Sequence, residues 1–212
     1  MSAFYIFRDN SSYNRRFTWA SSIRPKSEMI DRKCPECGAG EYYPSGAFDV
    51  IIEGGDRYPD ILGCGVYPLL IVSESVIDDW HKAGITSFHT YPVNVEDVLT
   101  KKLRRVPTPK YFRVEIDGNC KIDLEASGLR VIKYCPECHY LSTEPAVSLG
   151  FKMVPGSRDG SPLFRDADLY PRVNFCTELI LELAGKYKRT NFRFESMEGP
   201  FDHFSRGIEY LK

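Results

Sequence analysis

Two short motifs carry the clearest chemistry in the sequence, Cys34-Pro35-Glu36-Cys37 and Cys135-Pro136-Glu137-Cys138. Two residues between thiols let a tight turn aim both sulfurs at one ion, and Zn2+ takes four such ligands in a tetrahedron. Pro and Glu inside each motif suit a turn that does not run on into a helix. An ordinary four-cysteine site separates its pairs by about 15–20 residues. Here the 96 residues from 39 to 134 intervene, so the pairs can meet only through the tertiary fold. Spacing leaves three readings open: one shared structural Zn2+ site made of Cys34, Cys37, Cys135 and Cys138, two knuckles that have lost their metal, and a redox dithiol. The shared site is the expectation adopted, because two pairs supply the ligand count a closed structural site needs. A thioredoxin-like dithiol would open a helix, which the residues after Pro35-Glu36 do not predict. Cys135 to His139 also fits the C-x-x-C-H haem-attachment pattern, a chemistry that requires export.

The remaining reactive side chains form no recognisable catalytic set, and no catalytic residue is expected. His81, His89, His139 and His203 occur singly, without a nucleophile elbow, an H-E-x-x-H helix, a P-loop or a dinucleotide fingerprint beside them. His81 and His89 read as surface or interface residues. Asp78 and Asp79 are adjacent and so face different sides of a helix, which suits a solvated face better than a metal pair. Cys176 lies in an apolar strand and reads as a packed thiol, and Cys64 and Cys120 as packing or loop residues.

The elements that position the cysteines follow from hydrophobic pattern. Ile71–Tyr91 and Phe175–Glu195 match at an offset of 104 residues without a gap, pairing Ser73 with Thr177, Glu74 with Glu178 and Phe88 with Phe192. Each segment predicts a short strand, a helix and a returning strand. Ser73 and Thr177 are expected to cap the helices by accepting a backbone N–H bond, with Glu74 and Glu178 in the first turns. Val76, Ile77 and Trp80 recur at helical spacing, as do Ile180, Leu183, Ala184 and Tyr187, and Gly84 suits a helix end. The cysteine pairs repeat at a similar offset, 135 − 34 = 101. The expected architecture is an α+β fold in a single domain of two pseudo-repeats, about 1–105 and 106–212. Each is a C-x-x-C knuckle followed by strand, helix and strand, and they join in a zinc-stapled core around Trp80, Phe88, Leu183 and Phe192. Further strands are expected at Ala3–Arg8, Ala47–Glu53, Lys110–Asp117, Gly128–Tyr134 and Val147–Val154, and a short helix at Val95–Leu103. The basic residues Lys101, Lys102, Arg104 and Arg105 then read as a solvated helix end.

Composition narrows the function class. The 212 residues carry 28 basic and 29 acidic side chains, and a formal net charge of −1 argues against nucleic-acid gripping as the main task. The longest apolar stretch, around Val66 to Val72, falls far short of the roughly 20 residues a membrane helix needs, so no membrane partner is expected. The N-terminal segment lacks the pattern of a secretory leader, and seven cysteines fit a disulfide framework poorly; a cytoplasmic location with reduced thiols is expected.

In the order of its motifs the chain resembles the double-CXXCG-motif immunity proteins associated with myxobacterial swarming-inhibition toxins. The features that carry the resemblance are Phe4-Tyr5-Ile6-Phe7, Phe17-Thr18-Trp19, CPECG at Cys34 to Gly38, and LLIVSESVIDDWHKAGITSF from Leu69. They continue with the second CPEC and with DADLYPRVNFCTELILELAGKY from Asp166, followed by TNFRFE. The second motif departs from the pattern by placing His139 where glycine would stand. The resemblance implies a non-enzymatic antidote used in bacterial competition, which binds a cognate toxin and blocks it through an interface of about 800 Å² a side. The alternative expectation is a zinc-ribbon-like protein that contacts nucleic acid or a transcription partner.

Overall fold

The computed structural model describes residues 3–9, 15–25, 29–38, 40–44, 46–64, 69–137, 141–144, 147–148, 150–166, 168, 173–199 and 201–202. Strands β1 (Phe4–Asp9), β2 (Trp19–Pro25), β3 (Met29–Lys33), β4 (Gly40–Pro44), β5 (Phe48–Glu53), β6 (Ile61–Cys64) and β7 (Leu70–Ser73) precede helix α1 (Glu74–Lys82). After it come β8 (Phe88–Val98), β9 (Tyr111–Ile116), β10 (Ile122–Asp123), β11 (Arg130–Tyr134) and β12 (Leu141–Glu144). Strands β13 (Val147–Ser148), β14 (Lys152–Met153), β15 (Leu163–Phe164) and β16 (Phe175–Thr177) lead to α2 (Glu178–Lys186), which β17 (Phe192–Ser196) and β18 (Phe201–Asp202) follow.

Six strands close into a barrel in the order β2-β5-β8-β9-β7-β6. Side chains that alternate along each strand fill its interior: Phe48, Val50 and Ile52 of β5, Leu62 of β6, Ile71 of β7, Val93 and Val98 of β8, and Tyr111 of β9. The run Leu70-Ile71-Val72 is apolar throughout because β7 is covered on both faces. Ile71 enters the barrel, while Leu70 and Val72 point outward into the core beneath the helices. The Tyr111 hydroxyl donates to Pro59 O (2.7 Å), and burial foremost, with the Asp60 carboxylate nearby, holds its phenol above the usual range.

A second sheet has the order β15-β16-β1-β17, with β1 antiparallel to both β16 and β17. Its order parallels that of four barrel strands, β6-β7-β9-β8, where β9 lies antiparallel between β7 and β8. In each array a helix joins the second strand to the fourth, and the strand between them comes from the other half of the chain. Ile6 and Phe7 of β1 therefore face two different cores, Ile6 packing with Phe164 and Phe175, and Phe7 with Cys176, Ile180 and Trp80.

The expected α+β fold of two knuckle–strand–helix–strand repeats is not what forms. The protein is mostly β with a closed six-stranded barrel, and the described residues hold two helices of nine residues each. Two physical reasons account for the difference. The apolar helical pattern spans only two to three turns on each side of the match, and β2 and β5 close one array into a barrel while the other stays open. The helix expected at Val95–Leu103 is also absent: β8 continues to Val98, held by parallel pairing with β5, and Lys101–Arg105 form turns. The β-branched residues Val93, Val95 and Val98 favour that extended course. Among the described residues of the strand expected at Val147–Val154, only the short β13 and β14 are extended in ladders.

Both helices lie over one core that contains Val76, Ile77, Trp80, Phe88, Ile180 and Leu183, with Phe192 packed against it. Tyr187 sits at the end of α2 and stays exposed, with Lys186 and Arg189 over its ring. Ser73 and Thr177 occupy the N-cap positions, but neither side chain makes the expected cap bond. The Ser73 hydroxyl instead donates to Asp60 Oδ1 (3.1 Å), a charge-assisted bond. At the far ends, Gly84 (φ +76°) and Lys188 (φ +52°) turn the chain the same way; Ile85 N–H reaches Trp80 O and Arg189 N–H reaches Ala184 O. A lysine in that conformation costs about 1 kcal/mol, and the turn it makes carries its neighbour Arg189 to α1. Arg189 donates to Asp79 Oδ2 through Nε (2.7 Å) and through a second, shorter bond, to Asp60 Oδ1 (3.2 Å), and to Ser75 Oγ (2.8 Å) and Ser75 O (2.9 Å). Asp79 is thus buried in an ion pair and is not part of a solvated face.

Removing this guanidinium leaves the Asp79 carboxylate buried without a partner, a loss that typically costs about 3–5 kcal/mol. Arg189→Met is expected to lower stability by about that amount in urea unfolding, and Asp79→Asn combined with Arg189→Met to recover part of it. Equal stability of Arg189→Met and wild type would show that the pair is not holding the helices.

Candidate metal centre

Each cysteine motif occupies the loop of a β-hairpin. Strands β3 and β4 pair antiparallel with Lys33 opposite Gly40, so Cys34–Gly38 turns the chain between them. Strands β11 and β12 pair with Tyr134 opposite Leu141, and Cys135 begins the loop that joins them. In the first loop Gly38 N–H donates to Cys34 O (2.9 Å), and Gly38 takes φ +70°, a conformation that a β-carbon disfavours. The loop closes tightly enough to present both thiols on one side.

The two hairpin tips meet. Cys34 Sγ and Cys135 Sγ lie 3.7 Å apart, and the sulfurs of Cys34, Cys37 and Cys135 all fall within 4.8 Å of one another. A tetrahedron with Zn–S bonds of about 2.3 Å has sulfurs about 3.8 Å apart, whereas a disulfide brings them to about 2.05 Å. The Cys34–Cys135 separation fits two ligands of one ion, as it also fits a thiol hydrogen bond. Cys34 and Cys135 are buried and Cys37 is half-buried, so the cluster is closed on one side and reachable on the other. Three of the four sequence-predicted ligands thus converge across a separation of 101 residues. Cys138, like His139 and His203, lies outside the described residues.

One neighbour was not foreseen in the sequence. Lys133 Nζ donates to Cys37 O (3.5 Å), so a cation from the second hairpin reaches over the first loop. A lysine two positions before a thiol pair is the signal that could have found it.

The other candidate residues are elsewhere. Cys120 and Cys176 are buried; burial foremost pushes the Cys120 thiol up to about 12, with Asp166 adding to the rise, and burial raises Cys176 as well. Both are packed thiols, and Cys64 is half-buried with its thiol 3.9 Å from Leu69 O. His81 is exposed and stacks on Phe88, and His89 meets Asp117 (3.2 Å) with both side chains open to solvent. Among the described residues no helix is long and apolar enough to cross a membrane.

Comparison with protein-family models and with curated proteins finds no match for the chain.

The thiol environments predict selective chemistry. At pH 8, far below about 12, Cys120 stays protonated, and only a thiolate attacks iodoacetamide. Cys120 and Cys176 are expected to remain unmodified in the folded protein and to react fully in denaturant, as read by peptide mass mapping. Rapid labelling of Cys120 in the native state would contradict this.

Proposed function

We propose that the chain is a cytoplasmic, non-catalytic immunity protein that binds and neutralises a cognate bacterial toxin, on a scaffold fastened by one structural Zn2+. The observation that carries the scaffold is the 3.7 Å approach of Cys34 and Cys135 from two separate hairpins. Cys34, Cys37 and Cys135 would hold the ion with Cys138 as the fourth ligand, and the ion would supply no reaction, only a fixed geometry. The toxin-binding role rests on the resemblance carried by the two CPEC motifs and the segments from Leu69 and Asp166.

The zinc-ribbon alternative keeps one observation in its favour, that both knuckles sit on β-hairpins whose exposed strand β11 carries Arg130, Lys133 and Tyr134. That reading predicts nucleic-acid binding that weakens steeply with salt.

The purified protein is expected to contain about one zinc per chain, and Cys135→Ser to lose the metal and melt at a lower temperature. Metal retained after Cys135→Ser would end the shared site. For the toxin, co-expression is the direct test: the protein should restore growth to cells expressing a toxic neighbouring reading frame, and should co-purify with its product. If the neighbour is toxic and the chain neither protects nor binds, the neutralising role is wrong.

A further inference from the structure

Three segments converge at one end of the barrel. Arg16 O accepts the Asp56 and Arg57 amides (2.8 and 3.2 Å), and Thr18 N–H donates to Arg57 O (3.0 Å), which lays residues 15–19 along the turn at 53–57. The Thr100 hydroxyl donates to Gly54 O (2.6 Å) and Lys102 meets Asp56 (3.7 Å), which brings in residues 99–106. Together they gather Arg15, Arg16 and Arg57 with Lys101, Lys102, Arg104 and Arg105, all exposed. Seven of the chain's 28 basic residues are therefore here, against two acidic ones, Glu53 and Asp56, in a protein of net charge −1.

Strand register places two exposed apolar side chains in this patch, on either side of Glu53. Trp19 pairs with Glu53, Ala20 with Ile52, and Ile52 with Val98, while Leu99 N–H donates to Ile52 O. Ala20, Ile52 and Val98 fill the barrel, so the next row, Trp19, Glu53 and Leu99, faces outward. Trp19 is 40% exposed, Leu99 45% and Val106 45%. The indole is held in place: it lies on Gly54, where a β-carbon would stand 2.6 Å from Nε1. A fixed tryptophan, exposed aliphatic side chains on the adjoining segment 99–106 and an arginine-rich surround together have the composition of a binding centre with its rim.

We propose that this end of the barrel is a protein-docking surface for an acidic partner that also carries aliphatic side chains. The excess of positive charge selects a negative face. Leu99 and Val106 favour a protein over nucleic acid, whose sites stack bases on aromatic rings and have little use for aliphatic ones. The inference rests on the reading of the chain as a binding protein and specifies which face would meet the toxin.

The test uses the full-length protein and three probes: a twenty-residue peptide of glutamates with interspersed leucines, an all-glutamate peptide of that length, and a twenty-nucleotide oligothymidylate. Trp19 reports directly, because the only other tryptophan, Trp80, is buried. The leucine-bearing peptide is expected to shift the Trp19 emission to shorter wavelength and to bind about tenfold more tightly than the all-glutamate peptide, as added apolar burial requires. Raising the salt should weaken it, and Lys101→Glu with Arg105→Glu should abolish it without changing the melting temperature. No emission shift with the leucine-bearing peptide, or unchanged binding by the charge-reversed variant, would overturn the proposal. Tighter binding of oligothymidylate would assign the surface to nucleic acid and overturn it equally. Growth protection separates this from the broader reading. If wild type and Trp19→Ala/Lys101→Glu/Arg105→Glu protect equally, this surface is wrong and neutralisation stands. If the peptide results hold but wild type does not protect, the surface stands and neutralisation falls.

Discussion

Strand β1 lies between β16 and β17, and β9 lies between β7 and β8, so neither half of the chain completes its hydrogen-bonded array alone. A strand with both edges occupied has its backbone groups satisfied only when both neighbours are present. That constraint ties residue 9 to residue 192 and residue 73 to residue 111. Every other long-range feature is built on this exchange. The helices share a core because the arrays that carry them are interlocked, and the hairpins that bear the cysteines are brought tip to tip.

Within this frame the polar contacts select among arrangements that apolar packing alone would tolerate. Asp60 receives Ser73, Arg189 and Thr190, three residues from two separate stretches of chain. Thr190 Oγ1 in turn accepts the Asp60 amide (3.0 Å), and Asn191 Nδ2 donates to Ile61 O (2.8 Å). A half-buried charge satisfied this fully adds little net stability, since desolvation offsets most of the attraction. Its effect is on register: any slip of α2 along α1 would leave Arg189 and Asp79 unpaired in a dry site. The apolar core supplies the bulk of the driving force, and this network fixes how the two helices sit.

Much of this was legible in the sequence, and the limits have physical causes. The strands at residues 4–9, 48–53, 111–116 and 130–134 follow from alternating or continuous apolar runs, and both helices from the spacing of Val76, Ile77 and Trp80 and of Ile180, Leu183 and Ala184. The cysteine triad was readable because C-x-x-C encodes its own local geometry. The barrel was not, since closure depends on the parallel pairings β2 with β6 and β5 with β8, which leave no local mark. Nor was the role of Asp79 readable, because its partner Arg189 is 110 residues away and only tertiary contact distinguishes a buried aspartate from its solvated neighbour Asp78. Ser73 was placed correctly at the head of α1, yet the bond it makes depends on Asp60, which sequence pattern does not bring near.

The exchange of strands also imposes an order on biosynthesis. Strand β17, which covers one edge of β1, begins 192 − 9 = 183 residues after β1 ends. At about 5–20 residues per second, β1 waits roughly 10–40 s for its neighbours. During that interval the aromatic segment Phe4-Tyr5-Ile6-Phe7 is an uncovered, strand-forming stretch, the kind of sequence that nascent-chain chaperones hold. Strand β1 therefore cannot be completed until β17 has been made.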